Sequence, residues 1–423
     1  MTPEIKQRIE QICRGEVPEG YKKGKLGIVP EEWEDTSFST LFTSTSDYTE
    51  DLEKYPLYSL TIEGGVTPKT ERYERSHLVK KEDSYKIVRP NDYAYNPMNL
   101  RFGAVARYKG DIPVAVSGYY DIFTTVYKSD LPFMDSFLTC GPMITYYNRV
   151  STGSLVEKQR VHFSQFLGFV LPLPSRKERV PIAAILTTQD KVIELKEKLL
   201  AEKQRQKKYL MQVLLTGKKR LPRFSGEWKV NRLRNIATRH TKRNTIGNTN
   251  ALTISAQYGL INQAEFFNKA VASDDKSNYF LLEKGDFAYN KSYSNGYPFG
   301  AIKRLTRYEV GIVSPLYICF RIKEGSVSGE YLEQYFEAGL MNHEIQAFAQ
   351  EGARNHGLLN IAVDDFFNSK ILLPSPEEQT AIAEIFSTAD REIDLLRQDI
   401  EQEKQKKKAL MQLLLTGIVR VCG

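Results

Sequence analysis

The sequence is poor in the residues that hold small domains together through covalent bonds or metal ions. Its four cysteines lie far apart with no CxxC pair, and its five histidines show no metal-ligand spacing. Neither a disulfide framework nor a zinc cluster is therefore expected. A run of about 18 apolar residues is absent, so no membrane-spanning helix is expected. Residues 1–12 are charged and lack the apolar core of a secretion signal, and we expect a cytoplasmic location.

What the chain contains is an ordinary globular composition with a mild positive charge. It has 423 residues, of which 41% are apolar and 26% charged, and its formal net charge is +7. At about 100–200 residues per domain, this length favours two to four folding units. Residues 218–243 carry ten basic side chains and one acid. This cluster fits either an attraction to phosphates or a solvated linker.

An internal duplication is the strongest pattern in the chain. Residues 174–217 align with residues 374–417 at an offset of 200, and 19 of the 44 positions are identical. The globular parts repeat more weakly, and the matches include residues 92–96 with 286–290 and Trp33 with Trp228. The chain therefore reads as a globular domain, a long helix, a second globular domain and a second long helix.

Both copies of the strong repeat predict a long amphipathic helix. Apolar residues recur at spacings of four and three, as in a coiled coil, and about 40 residues would make a rod of roughly 60 Å. A single rod of this length needs a partner for its apolar stripe, so we predict that the two helices pair antiparallel. We expect the first helix to begin at Pro181 and not at Arg176, because proline interrupts a helix. The predicted helix-pairing residues are Ile182, Leu186, Ile193, Leu200, Leu210, Leu214, Ile382, Phe386, Ile393, Leu396, Ile400, Leu410 and Leu414.

These patterns predict an α+β fold with two similar mixed α/β domains, joined by two long antiparallel coiled-coil helices as a pseudo-two-fold internal duplication. Residues 85–89, 279–282 and 366–373 are strand candidates, and residues 331–351 are a helix candidate. The expected segments are a short N-terminal helix at 1–19, a first globular domain at 20–173, a helix at 174–217, a second globular domain at 218–372 and a helix at 373–420.

The motifs give no evidence of a catalytic site. Asn96-Pro97-Met98-Asn99 resembles the start of an Asn-Pro-Pro-aromatic methyltransferase motif, but the second proline and the aromatic ring are absent. No glycine-rich cofactor loop follows a strand upstream of it. We therefore expect a chain that is not an enzyme, with no catalytic residue and no metal. Two other interpretations stay open: a self-contained DNA adenine methyltransferase, and a coiled-coil protein-interaction scaffold without a DNA role.

Two further motifs introduce the first domain and the second helix. Gly20-Tyr21-Lys22 leads to Gly27-Ile28-Val29-Pro30-Glu31-Glu32-Trp33, and Pro374-Ser375-Pro376-Glu377-Glu378-Gln379 is followed by Ile382-Ala383. Together with the tandem repeat, these motifs resemble the DNA-specificity subunit of type I restriction-modification enzymes over nearly the whole chain.

This resemblance implies a non-catalytic subunit of a bacterial or archaeal methyltransferase/endonuclease complex. Each globular domain would be a target-recognition domain that reads one half of a bipartite double-stranded DNA target. The helices would be spacers that set the gap and dock two modification (methyltransferase) subunits, and two restriction (motor-nuclease) subunits are an optional addition. The resemblance implies no cofactor in this chain and no membrane partner, with S-adenosylmethionine, ATP and Mg²⁺ in the partner subunits.

The loops beside the matched strands have the composition that DNA contacts require. Base edges are read by Arg, Lys, Asn and Gln, and phosphates accept hydrogen bonds from Arg, Lys, Ser, Thr and Tyr. The two loops diverge directly after a shared Ala-Tyr-Asn sequence, as readers of different targets would; ordinary variable loops are the alternative. The predicted DNA-binding residues are Lys69, Arg72, Arg75, Tyr95, Asn96, Asn99, Arg101, Lys291, Ser292, Tyr293, Ser294, Asn295, Tyr297, Arg354, Asn355 and His356.

Overall fold

The protein is a mixed α/β chain with two long helices, which confirms the predicted fold class. The computed structural model describes residues 2–45, 47–69, 85–153, 159–255, 258–267, 276–293, 296–351 and 359–421. Its helices are α1 (Pro3–Cys13), α2 (Leu131–Phe137), α3 (Gly141–Val150), α4 (Phe163–Leu167), α5 (Arg176–Leu214), α6 (Leu233–Ile236), α7 (Gln263–Phe267), α8 (Gly329–Glu337), α9 (Asn342–Phe348), α10 (Val363–Asn368) and α11 (Pro376–Leu415).

The strands are short and antiparallel. They are β1 (Tyr21–Gly24), β2 (Gly27–Pro30), β3 (Glu34–Ser37), β4 (Phe42–Thr45), β5 (Tyr48–Thr49), β6 (Tyr58–Thr61), β7 (Gly65–Pro68), β8 (Tyr85–Val88), β9 (Tyr93–Tyr95), β10 (Val105–Arg107), β11 (Val114–Val116), β12 (Asp121–Thr125), β13 (Val170–Leu173), β14 (Lys229–Arg232), β15 (Ala237–Arg239), β16 (Leu252–Ser255), β17 (Gly259–Asn262), β18 (Phe280–Glu283), β19 (Phe287–Asn290), β20 (Ala301–Arg304), β21 (Val310–Val313), β22 (Ile318–Ile322), β23 (Gln350–Glu351), β24 (Leu359–Asn360) and β25 (Lys370–Leu373).

The chain divides into two compact units that do not follow the order of the sequence. Unit 1 contains residues 1–197 together with residues 399–423, and unit 2 contains residues 198–398. Each long helix is therefore shared: the first half of α5 and the second half of α11 belong to unit 1, and the remaining halves belong to unit 2. The predicted five-segment division stays a prediction, because the compact units cut through the helices.

The two units have the same sheet topology. A four-stranded antiparallel sheet has the order β10-β9-β12-β4 in unit 1 and the matching order β20-β19-β22-β15 in unit 2. The registers also correspond, since Tyr95 pairs with Val105 in one sheet and Tyr289 with Ile302 in the other. The hairpins β6–β7 and β16–β17 and the pairs β3–β13 and β14–β25 correspond in the same way. The weak sequence repeat of the globular parts is thus a repeat of fold.

Stacked aromatic rings fix the central strands of each unit. Tyr93 stacks on Phe123 at 5.1 Å in unit 1, and Phe287 stacks on Phe320 at 5.1 Å in unit 2. All four side chains are buried. Buried aromatic rings contribute large apolar areas and favour offset stacking. The Asp-aromatic-Ala-Tyr-Asn repeat of the sequence is therefore explained by core packing.

The long helices pack against each other and against the sheets of their own unit. In unit 1, Ile182 and Leu186 of α5 share one apolar core with Leu414 of α11 and with Phe166 of the globular part. In unit 2, Leu214 of α5 shares the equivalent core with the first turns of α11. The residues predicted for helix pairing are all buried or half-buried. The ends of α5 and α11 thus also form part of the apolar core of each unit. The sequence analysis predicted only the pairing of the two helices with each other.

Ion pairs along α5 and α11 show that the two helices pack antiparallel within each unit. In unit 1, Glu403 accepts hydrogen bonds from Gln189 (2.6 Å) and Lys196 (2.9 Å). In unit 2, Lys207 lies 2.6 Å from Asp390. The hydrogen bond from Lys196, together with that from Gln189, lowers the pKa of Glu403 to about 2.

Helix α5 begins at Arg176, so the prediction of a start at Pro181 is wrong. Pro181 lies inside the helix, where its ring would normally interrupt the turn. The preceding turn is held by Arg179, whose Nε donates to the Pro174 carbonyl (2.9 Å) and whose Nη1 donates to Asp130 (2.7 Å). These buried tertiary contacts outweigh the local preference of proline.

The second repeat reaches the same geometry with neutral groups. Gln379, at the position of Arg179, donates to the Pro374 carbonyl at 3.0 Å and accepts a hydrogen bond from the Ser328 backbone N–H at 2.9 Å. The first unit instead places a carboxylate, Asp130, against the arginine. The two repeats therefore differ in sequence at matched positions and keep the same contact between helix and domain.

Three other segments differ from their sequence-based interpretation. The basic stretch 218–243 is not a linker, because it forms β14, α6 and β15. The helix candidate 331–351 is divided into α8 and α9, with Gly339 between them at φ 71°. The strand candidate 366–373 begins inside α10, and only its second half forms β25.

Candidate nucleic-acid interface

In each unit, the loop that joins a central strand to the edge strand beside it, β9 to β10 in unit 1 and β19 to β20 in unit 2, starts from an asparagine turn. In unit 1 the Oδ1 of Asn96 accepts a hydrogen bond from the Met98 backbone N–H at 3.1 Å. In unit 2 the Oδ1 of Asn290 accepts the same kind of bond from Ser292 at 3.1 Å. Asparagine favours such turns because its side chain replaces a backbone acceptor two residues on. The shared asparagine thus fixes the point at which each loop leaves the sheet.

Both loops end at a glycine that the backbone requires. Gly103 has φ 93° and Gly300 has φ 79°, a region that other residues rarely adopt. A Cβ on Gly300 would also lie 2.2 Å from the Asn290 carbonyl oxygen. Between these fixed ends, residues 97–101 of unit 1 are replaced by the longer and unrelated residues 291–298 of unit 2. The two units therefore hold loops of different sequence between equivalent strand ends.

The loop tips present exposed aromatic and apolar side chains. Tyr293 of unit 2 is 63% exposed, and Phe102 of unit 1 is 50% exposed. The Arg101 guanidinium lies 4.5 Å from the centre of the Phe102 ring. Exposed rings of this kind can stack on bases, and an adjacent arginine adds a cation–π contact. The sequence analysis did not single out Phe102, and its repeat partner, Phe299, packs against the core of unit 2.

Two predicted DNA-binding residues of unit 1 lie in the interior, and these two predictions are wrong. Tyr95 is fully buried, and its hydroxyl donates to the Val161 carbonyl at 2.6 Å. Burial raises the pKa of Tyr95. Asn96 is buried and its Oδ1 is used by the turn described above. Both side chains build the frame of the loop and are not available to DNA.

Three other predicted residues of unit 1 lie at or near the surface. Asn99 and Lys69 are exposed, and Lys69 follows directly after β7. Arg101 is half-buried and donates from Nη1 to Gln159 at 3.0 Å. Its stacking on Phe102 and its bond to Gln159 hold the side chain at the edge of the loop.

In unit 2, the predicted residues of the β19–β20 loop have different roles. Lys291 and Ser292 are half-buried and Tyr293 is exposed. The Tyr297 hydroxyl donates to Glu337 at 2.7 Å and accepts from Lys303 at 2.9 Å. Burial, with a smaller contribution from Glu337, raises the pKa of Tyr297. Tyr297 thus braces the loop, and its role as a DNA contact stays a prediction.

Seven predicted residues lie outside the described part of the chain. They are Arg72, Arg75, Ser294, Asn295, Arg354, Asn355 and His356.

A cleft of about 290 Å³ lies beside the β6–β7 hairpin of unit 1. Its lining includes Gly64 and Gly65 of the hairpin, together with Arg107, Lys109 and Asp135. Asp135 lies 2.7 Å from Arg107 and 3.4 Å from Lys109, whose side chain is 69% exposed. The cleft therefore presents a cation next to the hairpin that the sequence had singled out. Lys109 was missed because it follows a strand with no divergent loop around it.

Comparison with known proteins shows which proteins the chain is similar to. Residues 225–405 match the type I restriction modification DNA specificity domain. The chain is 22% identical over 441 residues to the type I restriction enzyme MjaX specificity subunit of Methanocaldococcus jannaschii, and the match covers 95% of this chain and 97% of that protein. Residues 225–405 thus match a DNA specificity domain, and the chain is similar over nearly its whole length to a type I restriction enzyme specificity subunit.

Solved structures of the same class share the fold. The S subunit of a type I restriction-modification system from M. genitalium matches with a TM-score of 0.52 at 10% identity, over 90% of this chain and 96% of that one. A chain from a study of the assembly of a type I R-M system matches with a TM-score of 0.54 at 14% identity, over 92% of this chain and 99% of that one.

The similarity to specificity subunits bears on one of the interpretations left open by the sequence. Specificity subunits of type I systems are non-catalytic DNA-recognition components, so a self-contained methyltransferase is set aside. Among the described residues, no group of three or more His, Cys, Asp or Glu side chains could hold a metal ion. In the same part of the chain, no helix is long and apolar enough to cross a membrane.

Proposed function

We propose that this specificity subunit reads a bipartite DNA target, with one half-site for each unit. The observation that carries the proposal is the pair of unrelated loops held between equivalent ends, Asn96 to Gly103 and Asn290 to Gly300. Two units that hold different loops between equivalent strand ends would recognise two different short DNA sequences. If both units read the same face of the duplex, the half-site centres lie about 10 bp apart.

The residues proposed to contact DNA combine predicted positions with residues that only the structure reveals. In unit 1 the exposed tip offers Asn99 for base edges and Phe102 for stacking, while Lys69 and Lys109 supply cations for phosphates. In unit 2 the exposed tip offers Tyr293, with Lys291 and Ser292 beside it. Each set is accessible to solvent at least in part, as DNA contacts must be.

The helices are proposed to set the gap between the half-sites and to dock two modification subunits, with two restriction subunits as an optional addition. Exposed leucines support a docking role, because Leu195 and Leu395 occupy matched repeat positions and both point to solvent. The modification subunits would supply S-adenosylmethionine and the methylating site, and the restriction subunits would use ATP and Mg²⁺. This chain would then hold no cofactor, and its cytoplasmic location stays a prediction.

Mapping of methylated adenines in the host genome tests the bipartite target directly. The expected result is one split motif with a fixed unspecified gap. In the assembled methylating complex, Asn99→Ala should weaken selection of one half-site and Tyr293→Ala that of the other, each by about tenfold or more, since a good base contact contributes about 1–3 kcal/mol. Tyr209→Ala is the matched control, because this exposed tyrosine lies on α5 and away from the loop.

Salt-dependent binding separates the proposal from a scaffold without a DNA role. The assembled complex should bind mixed duplex DNA, and the affinity should fall steeply as salt rises because counterions are released from phosphates. A complex that binds no duplex at low salt, or a motif without two separate halves, contradicts the proposed function.

A further inference from the structure

Each unit contains a buried carboxylate that joins three separate segments of the chain. In unit 1 the carboxylate is Glu178, in the first turn of α5. It accepts a hydrogen bond from the Trp33 indole at 3.3 Å and two from Arg420, at 2.6 and 3.0 Å. Arg420 lies three residues beyond Gly417, and the Trp33 ring is so close to Gly417 that an added Cβ would lie 2.9 Å from it. We call Trp33, Glu178, Gly417 and Arg420 the end clamp of unit 1.

Unit 2 repeats this arrangement with the roles of the two helices exchanged. Glu378, in the first turn of α11, accepts from the Trp228 indole at 3.2 Å and from Arg220 through two bonds of 2.7 Å. Gly217 ends the other helix against the Trp228 ring, which lies 3.5 Å from the position of an added Cβ. Trp228, Glu378, Gly217 and Arg220 form the end clamp of unit 2. Each clamp therefore ties the start of one long helix to the end of the other and to the entry of the globular part.

The clamps can fix the register of the antiparallel helices because their carboxylates are buried, while the Arg220 and Arg420 side chains are 28% and 34% exposed. The Glu378 side chain is 1% exposed and that of Glu178 is 7% exposed. Removing one partner from a buried ion pair is strongly unfavourable, since it leaves an uncompensated charge in the interior. A slip of α5 against α11 would pull each arginine away from its glutamate and so break both clamps.

The ion pairs between the clamps cannot fix the register to the same degree. Lys203 and Glu392, for example, lie 2.7 Å apart with side chains that are substantially exposed. Exposed pairs of this kind contribute little and can exchange partners along a helix rich in Lys and Glu. The buried carboxylates at the two ends therefore hold the register more firmly than these exposed pairs do, and Glu403, which is 16% exposed and pairs with Lys196, adds a further contact between α5 and α11.

The register of α5 against α11 matters for a protein that reads two half-sites, because the distance between successive base pairs is shorter than one turn of an α-helix. One helical turn is about 5.4 Å, whereas successive base pairs are about 3.4 Å apart. A slip by a single turn would therefore change the spacing of the two readers by more than one base pair. We propose that Glu178 and Glu378 are positioning residues whose end clamps fix the gap that the complex accepts between its half-sites. This inference rests on the proposed function.

Glu378→Gln in the assembled methylating complex tests the proposal. Glutamine keeps the size and the acceptor but removes the charge that Arg220 requires. The probes are duplexes that carry the two mapped half-sites with the natural gap, or with the gap one base pair shorter or longer. We expect methylation at the natural gap to persist, while the preference over the altered gaps falls by about tenfold, as expected from the loss of one charge-assisted bond. Glu384→Gln, an exposed change of the same charge on the same helix, should keep the wild-type preference.

The outcomes separate this inference from the proposed function. A wild-type complex without a bipartite target contradicts the proposed function itself. A wild-type complex with a strict gap, together with an equally strict Glu378→Gln complex, overturns the positioning role. If Glu378→Gln does not fold, Arg220→Lys decides, because lysine keeps the charge and loses the two-bond fork. An unchanged gap preference in that variant overturns the proposal, and a relaxed one supports it.

Discussion

The two helix-ending glycines provide a paired prediction about stability. Gly417 and Gly217 occupy matched repeat positions and have φ 71° and φ 70°. Alanine at either site adopts a left-handed conformation, which costs about 1–2 kcal/mol. The surroundings differ, because a Cβ on Gly417 would lie 2.5 Å from Pro30 and 2.9 Å from Trp33. On Gly217 the nearest atom is at an ordinary contact distance of 3.5 Å.

The expected magnitudes follow from these distances. Gly217→Ala carries only the backbone strain and should lower the free energy of unfolding of unit 2 by about 1–2 kcal/mol. Gly417→Ala adds an overpacked contact, which typically costs a further 1–3 kcal/mol or so. We therefore expect Gly417→Ala to destabilise unit 1 by about 2–5 kcal/mol in total.

The tryptophans allow each unit to be followed separately. The chain has only two tryptophans, and each lies in one end clamp. Urea unfolding of Gly417→Ala should be measured by fluorescence in a Trp228→Phe background, so that Trp33 is the reporter. Gly217→Ala should be measured in a Trp33→Phe background. Each background leaves the clamp under test intact.

Equal losses in the two units would refute this reasoning, since the difference rests on the close approach of Pro30 and Trp33 to Gly417. A gain of stability in either variant would also refute it, because that would mean that the left-handed conformation is not required at the helix end. An effect that appears only in the unit with the unchanged glycine would contradict the assignment of each tryptophan to its clamp.

Three further predictions concern charge and reactivity. Arg179→Gln should destabilise unit 1 by about 3 kcal/mol in urea unfolding, since the buried Asp130 loses its partner at 2.7 Å and keeps only Arg176 at 4.0 Å. Adding Asp130→Ser should restore part of the loss. The pKa of Glu403 is about 2 in the folded protein, below its unfolded value of about 4.3. The contribution of Glu403 to the free energy of unfolding is therefore complete above about pH 4.3 and disappears as the pH falls toward 2. The stability difference between wild type and Glu403→Gln should vanish over the same range. Exposed Cys13 should react with iodoacetamide in the native protein, whereas burial raises the pKa of Cys140 to about 12 and should protect it until unfolding.

The fold was largely predictable where a pattern extends over many residues. The long helices follow from a repeat of 44 positions, and their antiparallel packing follows from the need to bury two apolar stripes. The start of α5 was not predictable, because it depends on a contact between Arg179 and Asp130 that the sequence separates by 49 positions. The break at Gly339 was missed for another reason: isolated glycines occur in helices as well as at their ends.

The candidate site was less predictable because composition does not reveal the direction of a side chain. Tyr95 and Tyr293 both stand beside polar residues in a divergent region, yet the first is buried and the second is 63% exposed. Asn96 has the residue type that reads bases, but its turn consumes the acceptor. Phe102 matches Phe299, which packs against the core of unit 2, yet Phe102 itself is 50% exposed. These cases are resolved by the burial and the hydrogen bonds of the side chains in the folded structure.

The differences between the two units are of two kinds, and the distinction explains how one chain can carry two readers. Where helix meets domain, a difference on one side is matched on the other: Arg179 with Asp130, and Gln379 with the Ser328 backbone. In the loops between the asparagine turn and the glycine, no matching change is needed, because the strand ends already hold the backbone. The residues of each loop can therefore change, and the target sequence with them, while the strands that hold the loop stay the same. If the start of α5 alone were replaced by that of α11, a glutamine would replace Arg179 and face the buried carboxylate of Asp130.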